Sequence, residues 1–309
     1  MSSEVLVVGG DELRRLLPMR AAIDTLERAF AAEDPSARTP LRSRVPTGAG
    51  ELYLMPAVGE GGAGVKLVTL TPANPQHGRP LIHATYVLFD PQTQAPSAIV
   101  DGEALTALRT AAVSALATEH LARDDARRLV VFGAGVQARS HLEAMRTVRP
   151  VEEAIVVSRT PARAEALVAE ARASGLSART GSPGDVTSAD LVCTCTTSVV
   201  PVFEGSALPA GVHVNAVGAY RPDARELDSV AVSRARVVVE TREAALAEAG
   251  DLLIPIAEGV FDREHVRADL RELVTGAEVR RSRDDVTLFE SVGIAFEDLA
   301  VAVAAVGRR

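Results

Sequence analysis

From Arg128 onward the chain alternates short apolar strands with helical segments, and this alternation constrains the fold most. The helical patterns include residues 136–147 and 161–173. Parallel strands connected by helices are buried on both faces and therefore form nearly continuous apolar runs. The sequence thus predicts an α/β region built on a parallel sheet, with the strand candidates LVVFGAG, AIVVS, DLVCTCT, VHVNAVGA and RVVVE.

Residues 41–100 have a different pattern, with extended segments broken by Pro, Gly and Asn clusters such as TPANPQHGRP. This pattern is typical of a mostly antiparallel sheet. Around it we expect a strand at 5–8, a helix capped by Asp11, and a helix from Leu105 to about Ala122. A last apolar helix is predicted at roughly 288–306.

A glycine-rich turn joins the first strand of the alternating region to its helix. The segment LVVFGAGVQA places Gly133-x-Gly135-x-x-Ala138 directly after a strand and before a helix. The first glycine permits the tight turn, the second lets backbone approach a pyrophosphate, and the alanine allows close packing. The helix N-terminus offers N–H groups to the phosphates. The motif predicts a Rossmann-type dinucleotide site with candidates Gly133, Ala134, Gly135, Val136 and Gln137.

The end of the next strand bears on the choice of cofactor. It reads Val157-Ser158-Arg159-Thr160 and lacks the carboxylate that would bind both ribose hydroxyls and repel a 2′-phosphate. Arg159 can pair with that phosphate, and Ser158 and Thr160 can donate hydrogen bonds. We predict NADPH, with NADH possible; a solvated Arg159 capping the turn is the alternative. Thr196 and Val217, in DLVCTCT and VNAVGA, complete this candidate set.

These patterns together predict the fold class and domain organisation. A chain of 309 residues suits two domains. We expect a mixed α+β domain at 1–118 and a Rossmann-type parallel-sheet domain at 119–294. The C-terminal helix, about 295–309, should pack back on the first domain, with dimer packing as the alternative.

Composition excludes several classes of protein. A net charge of −8 without a basic run argues against nucleic-acid binding. No uncharged apolar run of about 18 residues is present, which argues against a membrane span. The N-terminus lacks the features of a secretory signal, so we expect a cytoplasmic protein. Cys193 and Cys195 lie in a predicted strand and should be buried, without a disulfide or a metal site.

Three cations lie in apolar surroundings. Lys66 lies in Val65–Val68, Arg109 in the helix Leu105–Leu116, and Arg42 beside Pro40 and Leu41. A buried charge is costly without a partner, and a substrate carboxylate would supply one. The alternatives are an edge-strand charge for Lys66, a snorkelling interface residue for Arg109 and a solvated loop charge for Arg42.

Four separated segments resemble the ornithine cyclodeaminase and mu-crystallin family: residues 101–112, GAGVQA, VNAVGAYRPDARELD and TLFESVG. The matches run from near Arg42 to near Asp298. The resemblance implies a Rossmann domain and a substrate domain that also forms a homodimer. It further implies that Arg42, Lys66 and Arg109 contact the substrate carboxylate and nitrogen, and that Val292 and Gly293 lie beside the nicotinamide.

One position departs from the cyclodeaminases of this family. They carry an Asp two residues after the glycine of Asn-Ala-Val-Gly, and its carboxylate handles the substrate amine. Here that position is Tyr220, followed by Arg-Pro-Asp. This version is similar to mu-crystallin, a ketimine reductase, and to bacterial reductases of cyclic imino acids.

The combined hypothesis is an NADPH-dependent reduction of a cyclic ketimine carboxylate, such as Δ1-pyrroline-2-carboxylate or Δ1-piperideine-2-carboxylate. Arg42 and Arg109 would hold the carboxylate, and Lys66 would donate a proton to the imine nitrogen, with Tyr220 as a helper. Three alternatives stay open. They are an NAD-dependent ornithine cyclodeaminase or alanine dehydrogenase, a non-catalytic protein that binds NADPH and a small ligand, and a biosynthetic enzyme for another imine.

Overall fold

The computed structural model describes residues 5–309, except for the side chain of Pro75. The elements of the first third are β1 (Leu6–Val8), α1 (Gly10–Leu16), α2 (Met19–Ala32), β2 (Ser43–Pro46), β3 (Glu51–Gly59), β4 (Gly62–Leu70), β5 (Ile82–Phe89), β6 (Pro96–Asp101) and α3 (Gly102–Leu121). They are followed by β7 (Arg128–Phe132), α4 (Val136–Val148), β8 (Glu153–Val157), α5 (Pro161–Ala173), β9 (Ser177–Thr180), β10 (Leu191–Thr194) and β11 (His213–Ala216). The remaining elements are α6 (Ser229–Arg234), β12 (Ala235–Val239), α7 (Arg242–Glu248), α8 (Gly250–Ala257), β13 (Val266–Asp269), α9 (Leu270–Val274), β14 (Val286–Glu290) and α10 (Ala295–Val306).

The chain divides into two compact units. The first comprises the residues up to Arg109 together with Ile294–Arg309, and the second comprises Thr110–Gly293. The division falls within α3, as does the predicted boundary at 118/119. We keep as a proposal that the first unit binds substrate and forms dimers and that the second binds the dinucleotide.

The first unit contains a six-stranded sheet with the order β1-β6-β5-β4-β3-β2. Strands β2 to β6 pair antiparallel with their neighbours, as predicted, and β1 joins β6 in parallel. Helix α10 packs on α2 and on β3 and β4. The α2 side chains Ile23, Leu26 and Phe30 recur at helical spacing and are fully buried, and Phe30 meets Phe296 edge to face at 5.2 Å.

The second unit contains an eight-stranded, entirely parallel sheet with the order β13-β12-β14-β11-β10-β7-β8-β9. Every residue of β10 and β14 is buried, as expected for strands covered on both faces. From β7 the chain proceeds outward through β8 and β9 and then returns to β10 on the other side of β7. Ligands of such sheets bind at this switch point, beyond the carboxyl ends of the strands. The predicted Rossmann-type α/β class is confirmed.

Three local predictions were wrong. Residues 286–290 form β14 between β11 and β12, and the last helix begins only at Ala295. A short apolar run fits either structure, and here the sheet uses it as a buried strand. Asp11 lies in the first turn of α1, whose N-cap is Gly9. Both cysteines are free, but only Cys193 is buried, because β10 ends before Cys195.

No helix among residues 5–309 has the length and apolar character needed to span a membrane. The expectation that the chain lacks a secretory signal depends partly on residues 1–4, which lie outside the described part.

Candidate active site

The turn after β7 requires glycine at its first position. Gly133 has φ +110°, a left-handed conformation that favours glycine. A Cβ atom there would overlap the carbonyl oxygen of Cys195. The Gly133 N–H donates to the Val157 carbonyl at 2.8 Å. The turn is therefore held against the carboxyl ends of both neighbouring strands, at the switch point of the sheet.

Helix α4 begins with an open N-terminus. Gly135 is its N-cap residue, and no side chain caps the helix there. A Cβ at Gly135 would meet nothing within 4 Å, and Gly135 and Val136 are exposed. Ala138 is fully buried, which permits close packing on the sheet. The uncapped N–H groups and the space in front of them fit a dinucleotide pyrophosphate.

The end of β8 presents a cation and no carboxylate. Arg159 is exposed and makes no ion pair with the residues of the described chain, and Thr160 is also exposed. The Thr160 N–H donates to Ser158 Oγ at 3.2 Å. A guanidinium in this position fits the 2′-phosphate of NADPH.

Glu226 connects two loops that carry candidate residues, and the sequence reasoning missed it. It is fully buried, and its carboxylate accepts the N–H of Thr196 at 2.7 Å and that of Gly218 at 2.8 Å. These loops follow β10 and β11, and Val217 donates to the Thr194 carbonyl at 3.1 Å. Burial raises the pKa of Glu226, and the hydrogen bonds partly offset this effect. Glu226 therefore fixes the loops of Thr196 and Gly218 at the carboxyl edge of the sheet.

Glu240 holds the turn after β14 in a similar way. Its buried carboxylate accepts the N–H groups of Val292 and Gly293 at 3.0 Å and the Ser291 hydroxyl at 2.7 Å. Gly293 has φ +76°, which favours glycine in this turn. Glu240 is the last residue of RVVVE and directly follows β12, and a carboxylate at the end of a buried strand was the available sequence signal.

Four carboxyl groups are buried at this edge of the sheet: Glu226, Glu240, Asp251 and Glu290. Burial, and then repulsion from the other three, raises the pKa of Glu290 well above its usual range. Burial, and then the charge of Glu226, likewise raise the pKa of Asp251 well above its usual range. The hydrogen bonds that Asp251 accepts from the N–H groups of residues 226 and 227 oppose this change. In the described part of the chain no three acidic, His or Cys side chains are placed to hold a metal ion. The raised pKa values mean that Asp251 and Glu290 keep their protons to a higher pH than exposed carboxyl groups do.

Lys66 lies in the interior of the first unit. Strand β4 is between β3 and β5, so the edge-strand interpretation is wrong. The side chain is 2% exposed, and its Nζ lies 2.8 Å from Asp298 Oδ2 and 2.9 Å from Oδ1. A further hydrogen bond of 3.2 Å reaches Thr106 Oγ1. Lys66 is also the only lysine in the sequence, so every other permanent side-chain cation is arginine.

Arg109 is buried beside the same carboxylates. Its Nη1 lies 2.7 Å from Glu297 Oε2, and its Nε lies 3.3 Å from Asp298 Oδ1. Because Arg109 is only 5% exposed, the snorkelling interpretation is wrong. Glu297 and Asp298 belong to the first turn of α10 and are fully buried. Our expectation that a substrate supplies the partner of these cations is therefore corrected, since the chain supplies both carboxylates itself.

A third cation belongs to the same electrostatic cluster. Arg42, half-buried before β2, lowers the pKa of Lys66 through its charge. A guanidinium group can bind a carboxylate through two parallel hydrogen bonds.

The same surroundings make Lys66 an unusually strong acid for a lysine. Burial, followed by the charges of Arg109 and Arg42, lowers its pKa from 10.5 to about 8, although Asp298 opposes this change. A group with a pKa near the working pH is best suited to transfer a proton. Arginine could not replace it, because a guanidinium stays charged at this pH.

The first unit therefore brings Arg42, Lys66 and Arg109 into one electrostatic cluster. Tyr220 belongs to the second unit, where it is half-buried beyond the end of β11. The candidates Gly133, Thr196, Val217, Val292 and Gly293 follow the carboxyl ends of the central strands β7, β10, β11 and β14. The roles of all these residues remain proposals.

The chain is similar to several known proteins over nearly its whole length. A curated Δ1-pyrroline-2-carboxylate reductase of Bacillus cereus is 39% identical over 310 residues, covering 96% of this chain and 94% of the relative. A Thermococcus litoralis Δ1-pyrroline-2-carboxylate reductase, solved with NADH and L-proline, has a TM-score of 0.93 and 36% identity, covering 98% and 97% of the two chains. An archaeal alanine dehydrogenase dimer with bound NAD has a TM-score of 0.92 and 31% identity, with coverage of 98% and 95%.

The family model described as ornithine cyclodeaminase/mu-crystallin matches residues 5–307, nearly the whole chain. The four motifs of the sequence and the two sheets of the structure are consistent with this match. The chain therefore belongs to the ornithine cyclodeaminase/mu-crystallin family.

Proposed function

We propose that this chain is an NAD(P)H-dependent reductase of a cyclic ketimine carboxylate of the Δ1-pyrroline-2-carboxylate type. The observation that carries the proposal is the only lysine, which is buried beside Arg109 against the shared carboxylate of Asp298 and has its pKa lowered to about 8. Such a group is a proton donor, and the guanidinium groups near it are suited to binding a carboxylate. The bacterial relative and the archaeal structure that bear this reductase name support the choice of substrate class.

The first unit performs the binding and the proton transfer. Arg42 and Arg109 hold the substrate carboxylate, and a guanidinium fork fixes its orientation. The Lys66 ammonium donates a proton to the imine nitrogen and becomes a neutral amine, while Asp298 holds its Nζ. Protonation makes the imine carbon a better acceptor. A nicotinamide held by the second unit would supply the hydride that this carbon accepts, which would convert the C=N bond into a CH–NH bond.

The second unit holds the cofactor. The backbone of Gly133, Ala134, Gly135, Val136 and Gln137 binds the pyrophosphate, since the open N-terminus of α4 follows this turn. Thr196, Val217, Val292 and Gly293 bind the remainder in the loops that Glu226 and Glu240 fix. We retain Tyr220 as a helper in proton transfer. Because a phenol is a far weaker base than a carboxylate, Tyr220 disfavours ornithine cyclisation.

The reaction is tested by following reduced-nicotinamide absorbance with a panel of substrates. We expect NADPH oxidation with Δ1-pyrroline-2-carboxylate and with its six-membered homologue, and proline and pipecolate as products. Ornithine and alanine are the alternatives, assayed in the reverse direction with NAD. Ammonia release from ornithine, or rapid oxidation of alanine without imine reduction, would overturn the proposal.

Arg159 is proposed to select NADPH. Arg159→Ala should raise the KM for NADPH about 10- to 100-fold, because a hydrogen bond to a charged group contributes about 1.5–3 kcal/mol. The KM for NADH should change by less than about twofold, since NADH lacks the 2′-phosphate. Steady-state kinetics with both cofactors measure the effect. A wild-type preference for NADH would remove the assignment, and the neighbouring structures contain NADH and NAD.

We also propose a homodimer formed through the exposed face of the six-stranded sheet. The strand registers align Val7, Ile99, Val87, Val65 and Pro56 across this face, opposite to the face with the buried Lys66 and Tyr86. Val7 is 66% exposed and Ile99 39% exposed. A contiguous exposed apolar patch marks an interaction surface. The proposed occupant is a second copy of the chain, since an archaeal alanine dehydrogenase of similar fold is a dimer.

Ile99→Glu should convert the dimer to a monomer, because it places a charge in the centre of this apolar face. Size-exclusion chromatography with light scattering measures the mass. Val260→Glu is the matched control, since Val260 is 46% exposed on the other unit. A dimer that survives Ile99→Glu, or one that Val260→Glu disrupts, would place the interface elsewhere.

A further inference from the structure

Tyr86 has a hydroxyl group that the proposed mechanism does not yet use. Tyr86 pairs directly with Lys66 across β4 and β5, so the two side chains share one face of the sheet. The side chain is fully buried, and its hydroxyl has no hydrogen-bond partner within the described residues. Gly64 makes room for it, because a Cβ there would overlap the hydroxyl oxygen. The fold thus makes room for the Tyr86 hydroxyl, although phenylalanine at this position would leave no buried donor unsatisfied.

Asp298 is the charged group that affects the pKa of Tyr86. Burial, and then the negative charge of Asp298, raises the pKa of Tyr86, so the phenol keeps its proton. The Asp298 carboxylate is engaged by Lys66 and lies 3.3 Å from Arg109. The hydroxyl is therefore a reserve hydrogen-bond donor near a carboxylate that already has a cationic partner.

We propose that Tyr86 is a positioning residue that donates a hydrogen bond to Asp298 when Lys66 has given up its proton. This inference rests on the proposed function of Lys66. As the Lys66 N–H bond breaks and the imine N–H bond forms, Nζ becomes neutral and attracts Asp298 less. The Tyr86 O–H then stabilises the carboxylate without transferring its own proton. When Lys66 regains a proton from water, Asp298 returns to the ammonium.

The charges around Lys66 determine the direction of the effect. Arg109 of α3 and Arg42 before β2 favour the neutral amine, while Asp298 of α10 favours the ammonium. Glu297, also on α10, is paired with Arg109, and Thr106 of α3 contacts Nζ. Because Tyr86 stabilises Asp298 mainly when the amine is neutral, its hydroxyl lowers the pKa of Lys66. Removing the hydroxyl should therefore raise this pKa.

The test uses the single lysine of the chain. Protein labelled with 13C-lysine gives one Lys66 signal, whose titration reports the pKa without any enzymatic assay. We expect a midpoint near pH 8 in the wild type and an upward shift of roughly one unit in Tyr86→Phe. The alkaline limb of the kcat/KM profile should move by the same amount, and kcat at neutral pH should fall about tenfold.

Tyr53→Phe is the matched control. Tyr53 lies on β3 of the same sheet, and its hydroxyl donates a hydrogen bond to Glu51. Tyr53→Phe should leave unchanged both the midpoint of the Lys66 titration and the pH profile of kcat/KM. An unshifted midpoint in a folded Tyr86→Phe protein would overturn the role of Tyr86. A wild type that shows the Lys66 midpoint but reduces no imine would instead overturn the proposed function.

Discussion

Replacing Lys66 with methionine should reduce kcat/KM for imine reduction by about 100-fold or more, while NADPH affinity changes less than about twofold. Methionine keeps the side-chain length but removes the proton donor and one of three cations. Proton transfer by a positioned side chain contributes about 10²- to 10⁴-fold to a rate. Steady-state kinetics and a fluorescence titration with NADPH measure the two quantities.

Lys66→Arg separates chemistry from charge. Arginine restores a cation beside Asp298 but does not release a proton near neutral pH. We therefore expect this variant to recover stability relative to Lys66→Met without recovering turnover. If Lys66→Arg reduced the imine at the wild-type rate, Lys66 would have only a structural role.

The second large effect concerns Arg109 and should appear as a loss of stability. Arg109→Met leaves Glu297 without its closest cation in a fully buried position. Breaking a buried ion pair by removing one partner costs about 3–5 kcal/mol. We expect the free energy of unfolding, measured with urea, to fall by about that amount.

Arg109→Met/Glu297→Gln provides the control for this prediction. With the carboxylate also neutralised, the double variant should be more stable than the sum of the two single losses indicates. Strict additivity of the two substitutions would contradict the ion pair. Both Arg109→Met and the double variant should bind the substrate more weakly than the wild type. Each lacks the guanidinium that we propose binds the substrate carboxylate.

The parts of the fold set by local patterns could be predicted from the sequence. The turn at Gly133 and Gly135 could be located because strand, glycines and helix are contiguous. The antiparallel region could be recognised because Pro and Gly clusters separate its strands. The segment TLFE was assigned to a helix because a short apolar run has no distinctive period, and only its place between β11 and β12 makes it a strand.

The site was predicted in part for a related reason. The cost of burying a charge singled out Lys66 and Arg109, but their partners lie 232 and 188 residues away in the sequence. No local pattern connects such residues. Glu297 and Asp298 lie in the first turn of an apolar helix. The cost of burying a charge, applied to these two residues, would have indicated a buried and partnered carboxylate pair. Glu226 and Glu240 bind backbone N–H groups of distant loops, so their roles depend on the folded sheet.

We expect a hydride from the nicotinamide to reach the imine carbon of a cyclic ketimine carboxylate. The most direct measurement incubates the protein with Δ1-pyrroline-2-carboxylate and NADPH that carries transferable deuterium at C4, followed by mass spectrometry and NMR of the product. We expect a single enantiomer of proline that carries deuterium at C2. Unlabelled proline, or unchanged imine while the labelled cofactor binds, would contradict it.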